Sequence, residues 1–268
     1  MTRQPVFYLT HGGGPCFWME FPEPFGAHAY DRFRDYFSGL IASLSARPEA
    51  VLVVSAHWEE RIPTVSLSAA PPMIYDYYGF PPHTYQLEYP APGAPEVAGR
   101  ALELLQSAGI AAGADEHRGF DHGVFVPMMI IDPEARLPVA TLSLKDNLDP
   151  AQHLAIGSAL APLRDEGVLI LGSGSSYHNL RDIFRGDGWA SIEFDAWLHE
   201  TVALPPADRD AHLCDWTSAP GARASHPRPD HLLPLMVAAG AAGDDRGWGT
   251  FRDMIGGKNY SCFAFGSL

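Results

Sequence analysis

The chain has 268 residues, of which 46% are hydrophobic and 19% are charged, and its formal net charge at pH 7 is -14. This composition predicts a well-buried core and argues against disorder. The acidic balance and the lack of a basic stripe argue against nucleic acid and acidic membrane surfaces as partners. No apolar run reaches the roughly 18 residues of a membrane span. The three cysteines are widely spaced and form no Cys-x-x-Cys unit. This favours free thiols in a reducing cytoplasm.

Short apolar runs alternate along the chain with longer segments whose apolar residues recur at helical spacing. In chain order we predict a strand at 6–10, a helix at 28–45, strands at 50–55 and 64–68, a loop at 71–95, helices at 96–108 and 124–131, a strand at 139–144, a helix at 150–163, a strand at 168–171, helices at 192–204 and 230–242, and a strand at 261–265. This order predicts one three-layer α/β/α domain over 1–268, with a central mixed, largely parallel sheet.

Four histidines stand where a predicted strand stops or a helix begins: His11, His57, His178 and His231. Strand ends of an open α/β sheet converge on one crevice, so these imidazoles are expected to meet there. His122, in an Asp-His-Gly sequence that opens another helix, is a candidate fifth member. Clustered imidazoles make a metal site, an acid/base site or both. Seven other histidines are interpreted as surface, half-buried or loop-shaping residues: His28, His83, His117, His153, His199, His212 and His226.

Other interpretations of the same segments fit less well. The Gly12–Pro15 turn after His11 lacks the spacing of a phosphate-binding loop. The serines of the Gly-Ser-Gly-Ser-Ser sequence before His178 raise the alternative of a serine nucleophile, but they do not match the Gly-x-Ser-x-Gly elbow. The histidines also lack the helical spacing of zincins. Three imidazoles from separate loops suit zinc or iron(II), and the sequence alone leaves that choice open.

Several motifs resemble, in order and from about residue 5 to about residue 265, the DOPA-type extradiol dioxygenases of the protocatechuate 4,5-dioxygenase-like (class III) superfamily. They are Thr10-His11-Gly12-Gly13, Ser55-Ala56-His57-Trp58-Glu59, the Tyr- and Pro-rich segments 74–81 and 89–96, Asp121-His122-Gly123, the segment 166–175, His178-Asn179-Leu180-Arg181 and His226-Pro227-Arg228-Pro229-Asp230-His231.

The resemblance implies an α/β fold and one mononuclear divalent metal per chain, Zn²⁺ or Fe²⁺, with Fe²⁺ expected for dioxygenase activity. It implies that His11, His57 and His231 are metal ligands. It further implies that His178 is the acid/base residue, close enough to the metal to serve as a fourth ligand, and that His122 contacts substrate or oxygen. His231 stands where iron(II) members of the wider superfamily place a glutamate. Relatives also read His-Gly-Ser-Pro after the first strand, where this chain has His-Gly-Gly-Gly-Pro.

The leading hypothesis is therefore extradiol cleavage of a small aromatic catechol by O₂. The catechol would chelate the metal, and His178 would take a proton from it and later return one. A zinc-dependent hydrolase that uses the same histidines is the main alternative. A non-catalytic protein that binds metal or aromatic molecules is a third hypothesis. A homo-oligomer stays possible, because nothing in the sequence points to a particular assembly.

Overall fold

The central strands bury both of their faces, and two apolar layers result. The computed structural model describes residues 2–23, 25–183, 185 and 188–268. Along 51–54, 6–9 and 168–171, successive side chains enter opposite core clusters, so that Leu52 and Val54 pack on one side of the sheet while Val51 and Val53 pack on the other. This alternation is the period-two geometry of a strand, and continuous apolar runs satisfy it when helices cover both faces.

Within the described residues the sheet has eight strands. They are β1 (Val6–Thr10), β2 (Ala50–Glu60), β3 (Thr64–Ser66), β4 (Gly113–Asp115), β5 (Val139–Lys145), β6 (Val168–Gly174), β7 (Gly247–Ile255) and β8 (Lys258–Phe265). Their spatial order is β4-β3-β5-β2-β6-β1-β8-β7. The central neighbours β5, β2, β6 and β1 pair in parallel, whereas β3 with β5, β1 with β8 and β7 with β8 pair antiparallel. The predicted mixed, largely parallel sheet is confirmed.

The described helices cover both faces of this sheet. They are α1 (Asp31–Gly39), α2 (Pro95–Ser107), α3 (His122–Ile131), α4 (Pro150–Leu160), α5 (Pro162–Asp165), α6 (Trp189–Val202), α7 (Pro206–Cys214), α8 (Ala222–Ser225) and α9 (Leu233–Ala242). Helices α2, α4, α6 and α9 pack on one face, and α1 and α3 pack on the other, which confirms the three-layer α/β/α class. Among these described helices, none is both long enough and apolar enough to cross a membrane.

Prolines explain two boundaries that the sequence analysis placed wrongly. The helix predicted over 150–163 divides at Pro162, which starts the separate helix α5. The helix predicted over 230–242 begins at Leu233, so that Pro234 falls in its first turn. A proline is tolerated there because its missing N–H would have no partner, whereas further inside a helix it breaks a hydrogen bond. His231 therefore lies in the turn before α9.

Other differences arise where the pattern is weak. Helix α1 occupies only part of the predicted 28–45, because it ends at Gly39 and a short 3₁₀ turn follows. Strand β7 was not predicted, because it is a largely exposed edge strand that carries glycine and charged residues. Strands β2 and β6 extend beyond their predicted ends, to Glu60 and Gly174. Helix α7 and strand β4 were also missed.

Helices α4 and α9 approach so closely that glycine is required at their contact. A Cβ atom at Gly157 would lie 2.0 Å from the carbonyl oxygen of Val237, and one at Gly240 would lie 2.0 Å from that of Leu154. We therefore expect Gly157→Ala to force the helices apart and lower the free energy of unfolding by about 1–3 kcal/mol. Urea denaturation monitored by circular dichroism measures this change.

Gly99→Ala in α2 is the matched control, since a Cβ atom at Gly99 meets nothing within 4 Å. That substitution is expected to raise the free energy of unfolding by about 0.5–1 kcal/mol, because alanine loses less backbone entropy than glycine in a helix. Equal effects of the two substitutions would contradict the close helix contact.

Candidate metal centre and active-site cavity

His11 follows β1 directly and is 1% exposed. Its backbone N–H donates to the carbonyl of Gly174 at 3.0 Å, and its Nδ1 lies 3.0 Å from the Ser173 hydroxyl. That hydroxyl donates its own hydrogen to the carbonyl of Gly123. It therefore accepts a hydrogen bond from His11 Nδ1–H, which leaves the lone pair of the imidazole on Nε2.

His57 is displaced from the sheet by a bulge in β2. Ser55 pairs with Ser143 and Glu59 pairs with Leu144, so three residues of β2 have no counterpart on β5. Bulges of this kind re-aim side chains next to functional sites. The Arg118 guanidinium donates to the carbonyl of His57 at 3.3 Å and fixes the bulged backbone.

His231 is held by its backbone as well as by its ring. Its carbonyl accepts hydrogen bonds from the Ser175 N–H at 3.0 Å and from the Tyr8 hydroxyl at 2.8 Å. A Cβ atom at Gly174 would lie 2.1 Å from the same carbonyl oxygen, so only glycine permits this approach. The Nδ1 of His231 lies 2.6 Å from Asp230 Oδ2. Asp230 is thus an imidazole partner, and it does not cap α9, because Leu232 occupies the cap position.

The Nε2 atoms of these three histidines face one another. The distance is 3.1 Å from His57 to His11 and 3.2 Å from His57 to His231, and the three atoms lie within 4.8 Å of one another. Two nitrogens that each lie about 2.1 Å from one ion must be within about 4.2 Å of each other, and the distances from His57 to His11 and to His231 meet this condition.

The protonation of the three rings also suits a cation. The Nδ1 atoms of His11 and His231 donate to oxygen, and His57 Nδ1 faces Asp76 Oδ2 at 3.4 Å, so each Nε2 presents a lone pair. Burial, reinforced by the neighbouring imidazoles, lowers the pKa of His11 and His231 well below the usual value. Burial and the charge of His122 lower the pKa of His57 to about 3, although Asp76 opposes the shift. Neutral imidazoles with second nitrogens held by oxygen are the usual donors to a divalent metal, so these residues fit one.

His178 lies beside this group of three nitrogens and joins a second group with Asp230 and His231. Its ring stacks on that of His231, with centroids 3.4 Å apart and planes inclined by 16°. Its Nδ1 is 3.9 Å from Asp230 Oδ2, and its backbone N–H donates to the carbonyl of Ser225. Burial lowers the pKa of His178, and the Asp230 carboxylate opposes this shift. The ring is therefore neutral near pH 7 and can accept a proton.

Asp76 is a site residue that the sequence analysis missed. Its Oδ1 accepts hydrogen bonds from the backbone N–H of His122 at 3.0 Å and from His122 Nδ1 at 2.8 Å, while its Oδ2 faces His57. Burial raises the pKa of Asp76, but the hydrogen bonds and charge of His122 outweigh it and lower the pKa to about 2. The available signal was a single acidic residue within the aromatic segment Tyr75–Phe80.

The five histidines open onto one cavity of about 560 Å³. Aromatic side chains form much of its wall: Tyr30, Phe33, Tyr77, Tyr78, Phe80, Tyr177 and Tyr260. The Tyr77 ring meets that of His122 edge-on, with centroids 5.7 Å apart. The Phe80 ring lies against the backbone of Gly14, where a Cβ atom would come within 3.0 Å of it. The Gly12–Pro15 segment, which replaces the Gly-Ser-Pro of relatives after His11, therefore helps to shape the cavity.

The serine alternative finds no support at this site, because each hydroxyl is engaged in holding the fold. The Ser173 hydroxyl links His11 to Gly123, and that of Ser175 donates to the carbonyl of Tyr177. The Ser176 hydroxyl accepts from the N–H of Ser261.

The seven remaining histidines do not line the cavity, but His153 is more buried than predicted. His153 and His226 are both 0% exposed. His153 accepts the N–H of Lys145, and His226 hydrogen-bonds the carbonyl of Ser176. Both stabilise loops by satisfying buried backbone groups.

Comparisons with known proteins agree with one another. A family model described as the catalytic LigB subunit of aromatic ring-opening dioxygenase matches residues 8–262. The 4,5-DOPA dioxygenase extradiol of Beta vulgaris is 45% identical over 206 residues, which cover 75% of this chain and 76% of that protein. Dioxygenase tasH of Hapsidospora irregularis is 38% identical over 91% of this chain and 80% of its own length. The crystal structure of an uncharacterized protein from Escherichia coli K12 has a TM-score of 0.78 at 30% identity, covering 98% of this chain and 100% of that one.

Removing one of the three facing imidazoles should abolish metal retention. We expect His57→Ala to lose bound metal on dialysis, because two ligands hold a divalent ion far more weakly than three. Metal content per chain, measured by mass spectrometry, checks this. His28→Ala is the control, since the His28 side chain is 88% exposed and pairs with Asp31. Full metal occupancy in His57→Ala would remove His57 from the ligand set.

Proposed function

Because the chain belongs to the LigB family of aromatic ring-opening dioxygenases and is an extradiol ring-cleaving enzyme, we propose that it opens a catechol ring with O₂ at one divalent metal ion held by His11, His57 and His231. The observation that carries this proposal is the convergence of three Nε2 lone pairs while each Nδ1 faces an oxygen atom. Imidazole ligands suit both Zn²⁺ and Fe²⁺, and reaction with O₂ favours the redox-active ion, so we propose Fe²⁺.

When bound, this ion would supply a Lewis-acidic centre with open positions for both catechol oxygens and for O₂. His178 would then act as the proton carrier. Its ring is neutral and opens onto the cavity beside His231, so it can take a proton from a catechol hydroxyl. The Asp230 carboxylate 3.9 Å from Nδ1 would stabilise the resulting imidazolium. The ring nitrogen that takes the catechol proton would later return it to an oxygen atom of the opening ring. The further role of His178 as a fourth ligand, which the resemblance implies, stays a prediction.

His122 would orient the reactants from the opposite side. Asp76 accepts its Nδ1–H and its backbone N–H, which locks the ring so that Nε2 is directed to the cavity. Its ring centroid lies 3.8 Å from that of His57. We propose that His122 hydrogen-bonds an oxygen atom of the reactants. The edge of Tyr77 and the ring of Phe80 would wall the aromatic substrate and exclude water.

The alternative of a zinc-dependent hydrolase is not favoured. It would use the same three imidazoles, but family membership supports ring cleavage. The hypothesis of a non-catalytic binding protein has no separate observation in its favour.

Ring cleavage is testable with the purified protein. Protein reconstituted anaerobically with Fe²⁺ and then given a catechol and O₂ should consume O₂ and form a yellow ring-fission product. An oxygen electrode and absorbance spectroscopy measure the two events. Hydrolysis of an ester or amide by the zinc form, with no O₂ uptake by the iron form, would favour the hydrolase instead.

The same assay tests the proton carrier. His178→Phe should retain its metal but lose turnover by about 10²–10⁴-fold, which is the usual contribution of a general acid/base residue. His212→Phe serves as the control, because His212 is an exposed residue of α7 and lies outside the cavity. Unchanged turnover in His178→Phe would remove the proposed acid/base role.

A further inference from the structure

Tyr260 and Tyr30 are neighbours in the lining of the cavity onto which the histidines open, and we call this part of the lining the Tyr260 end. Tyr260 lies on β8 and is 6% exposed, and its ring meets that of Tyr177 edge-on with centroids 6.0 Å apart. No hydrogen bond joins the Tyr260 hydroxyl to another described residue, and Tyr260 belongs to the lining of the cavity. A buried tyrosine normally finds a partner for its hydroxyl, so this group is available to a bound molecule.

Both phenols remain protonated at neutral pH. Burial raises the pKa of Tyr260, and burial together with the nearby Cys16 and Tyr260 raises the pKa of Tyr30 well above its usual value. A neutral phenol donates one hydrogen bond and accepts others, and it carries no charge to balance an ion. The chemical partner that suits it is an uncharged acceptor, such as a ketone or ester carbonyl.

The charges around the cavity disfavour an anion. Of the described residues that line it, none is lysine or arginine, and the charged ones are Asp76 and Asp230. Lys258 lies on the same face of β8 as Tyr260, but it is 1% exposed and outside the lining. Its ammonium donates to Asp182 at 2.9 Å and to the carbonyl of Arg185 at 2.6 Å. A carboxylate at this end would lose its hydration without gaining a cation.

We propose that the Tyr260 end of the cavity is a substituent subsite, which selects catechols whose side chain ends in an uncharged hydrogen-bond acceptor over catechols whose side chain ends in a carboxylate. The inference rests on the proposed catechol function. The apolar walls Phe33 and Ile255 would cover the alkyl part of the side chain, and Tyr260 would donate to its carbonyl.

Three catechols of nearly equal shape test this subsite. Each carries one chain para to a hydroxyl: CH2CH2C(O)CH3, CH2CH2COO⁻ or CH2CH2CH(CH3)2. Calorimetric titration of the metal-containing protein without O₂ gives the affinity of each, independently of turnover. We expect the ketone to bind at least about tenfold more tightly than the carboxylate, because only the carboxylate buries an unpaired charge.

Tyr260→Phe removes the hydroxyl and keeps the ring. We expect it to weaken binding of the ketone by about 3- to 10-fold and to leave the hydrocarbon within about twofold, since one hydrogen bond is lost. Tyr30→Phe is a second variant, with a smaller loss in the same direction. Tyr89→Phe is the matched control, because Tyr89 is a buried tyrosine outside the cavity, and it should change neither affinity.

Equal affinities for ketone and carboxylate, or a Tyr260→Phe protein that binds the ketone normally, would overturn the subsite while binding of the hydrocarbon still upheld the catechol site. Failure of all three catechols to bind would overturn both proposals.

Discussion

Three neutral imidazoles are forced to point their lone pairs at one another, and most of the local structure serves that arrangement. The Nε2 atom of His57 lies 3.1 Å from that of His11 and 3.2 Å from that of His231, and their lone pairs repel unless a proton or a cation lies between them. The Nδ1 hydrogens are already committed to Ser173 and Asp230, so the rings cannot turn to relieve the repulsion without breaking these bonds. A divalent ion placed between the three nitrogen atoms relieves this repulsion.

Close backbone approach is the second requirement of this centre. Gly174 lets the carbonyl of His231 reach β6, and Gly123 lets the start of α3 reach β2, where a Cβ atom would lie 3.0 Å from the His57 ring. The Ser55 hydroxyl and Arg118 both donate to the buried carboxylate of Asp121, and these hydrogen bonds hold the start of α3 against β2. The centre is thus built where a bulged strand, a strand end and a helix start meet on a rigid sheet.

The sequence was sufficient to predict the α/β/α layers and the clustering of the five histidines, because the strand ends of a parallel sheet converge regardless of loop conformation. It was insufficient where contacts are long-range. Asp76 stands in an irregular loop without periodicity, and its partnership with His122 exists only after folding. Tyr260 fell outside the predicted strand 261–265, which begins earlier at Lys258 because β8 pairs with the unpredicted β7. The start of α9 was misplaced because apolar spacing outweighed the position of Pro234.

We expect three imidazoles, and no carboxylate, to be the protein ligands of the ion. X-ray absorption spectroscopy of the protein loaded with Fe²⁺ without O₂ tests it most directly, because imidazole rings produce multiple scattering that carboxylates do not. We expect three histidine rings in the ligand shell. A shell with two or fewer imidazoles, or one in which a carboxylate from Asp76 or Asp230 binds the iron, would contradict it.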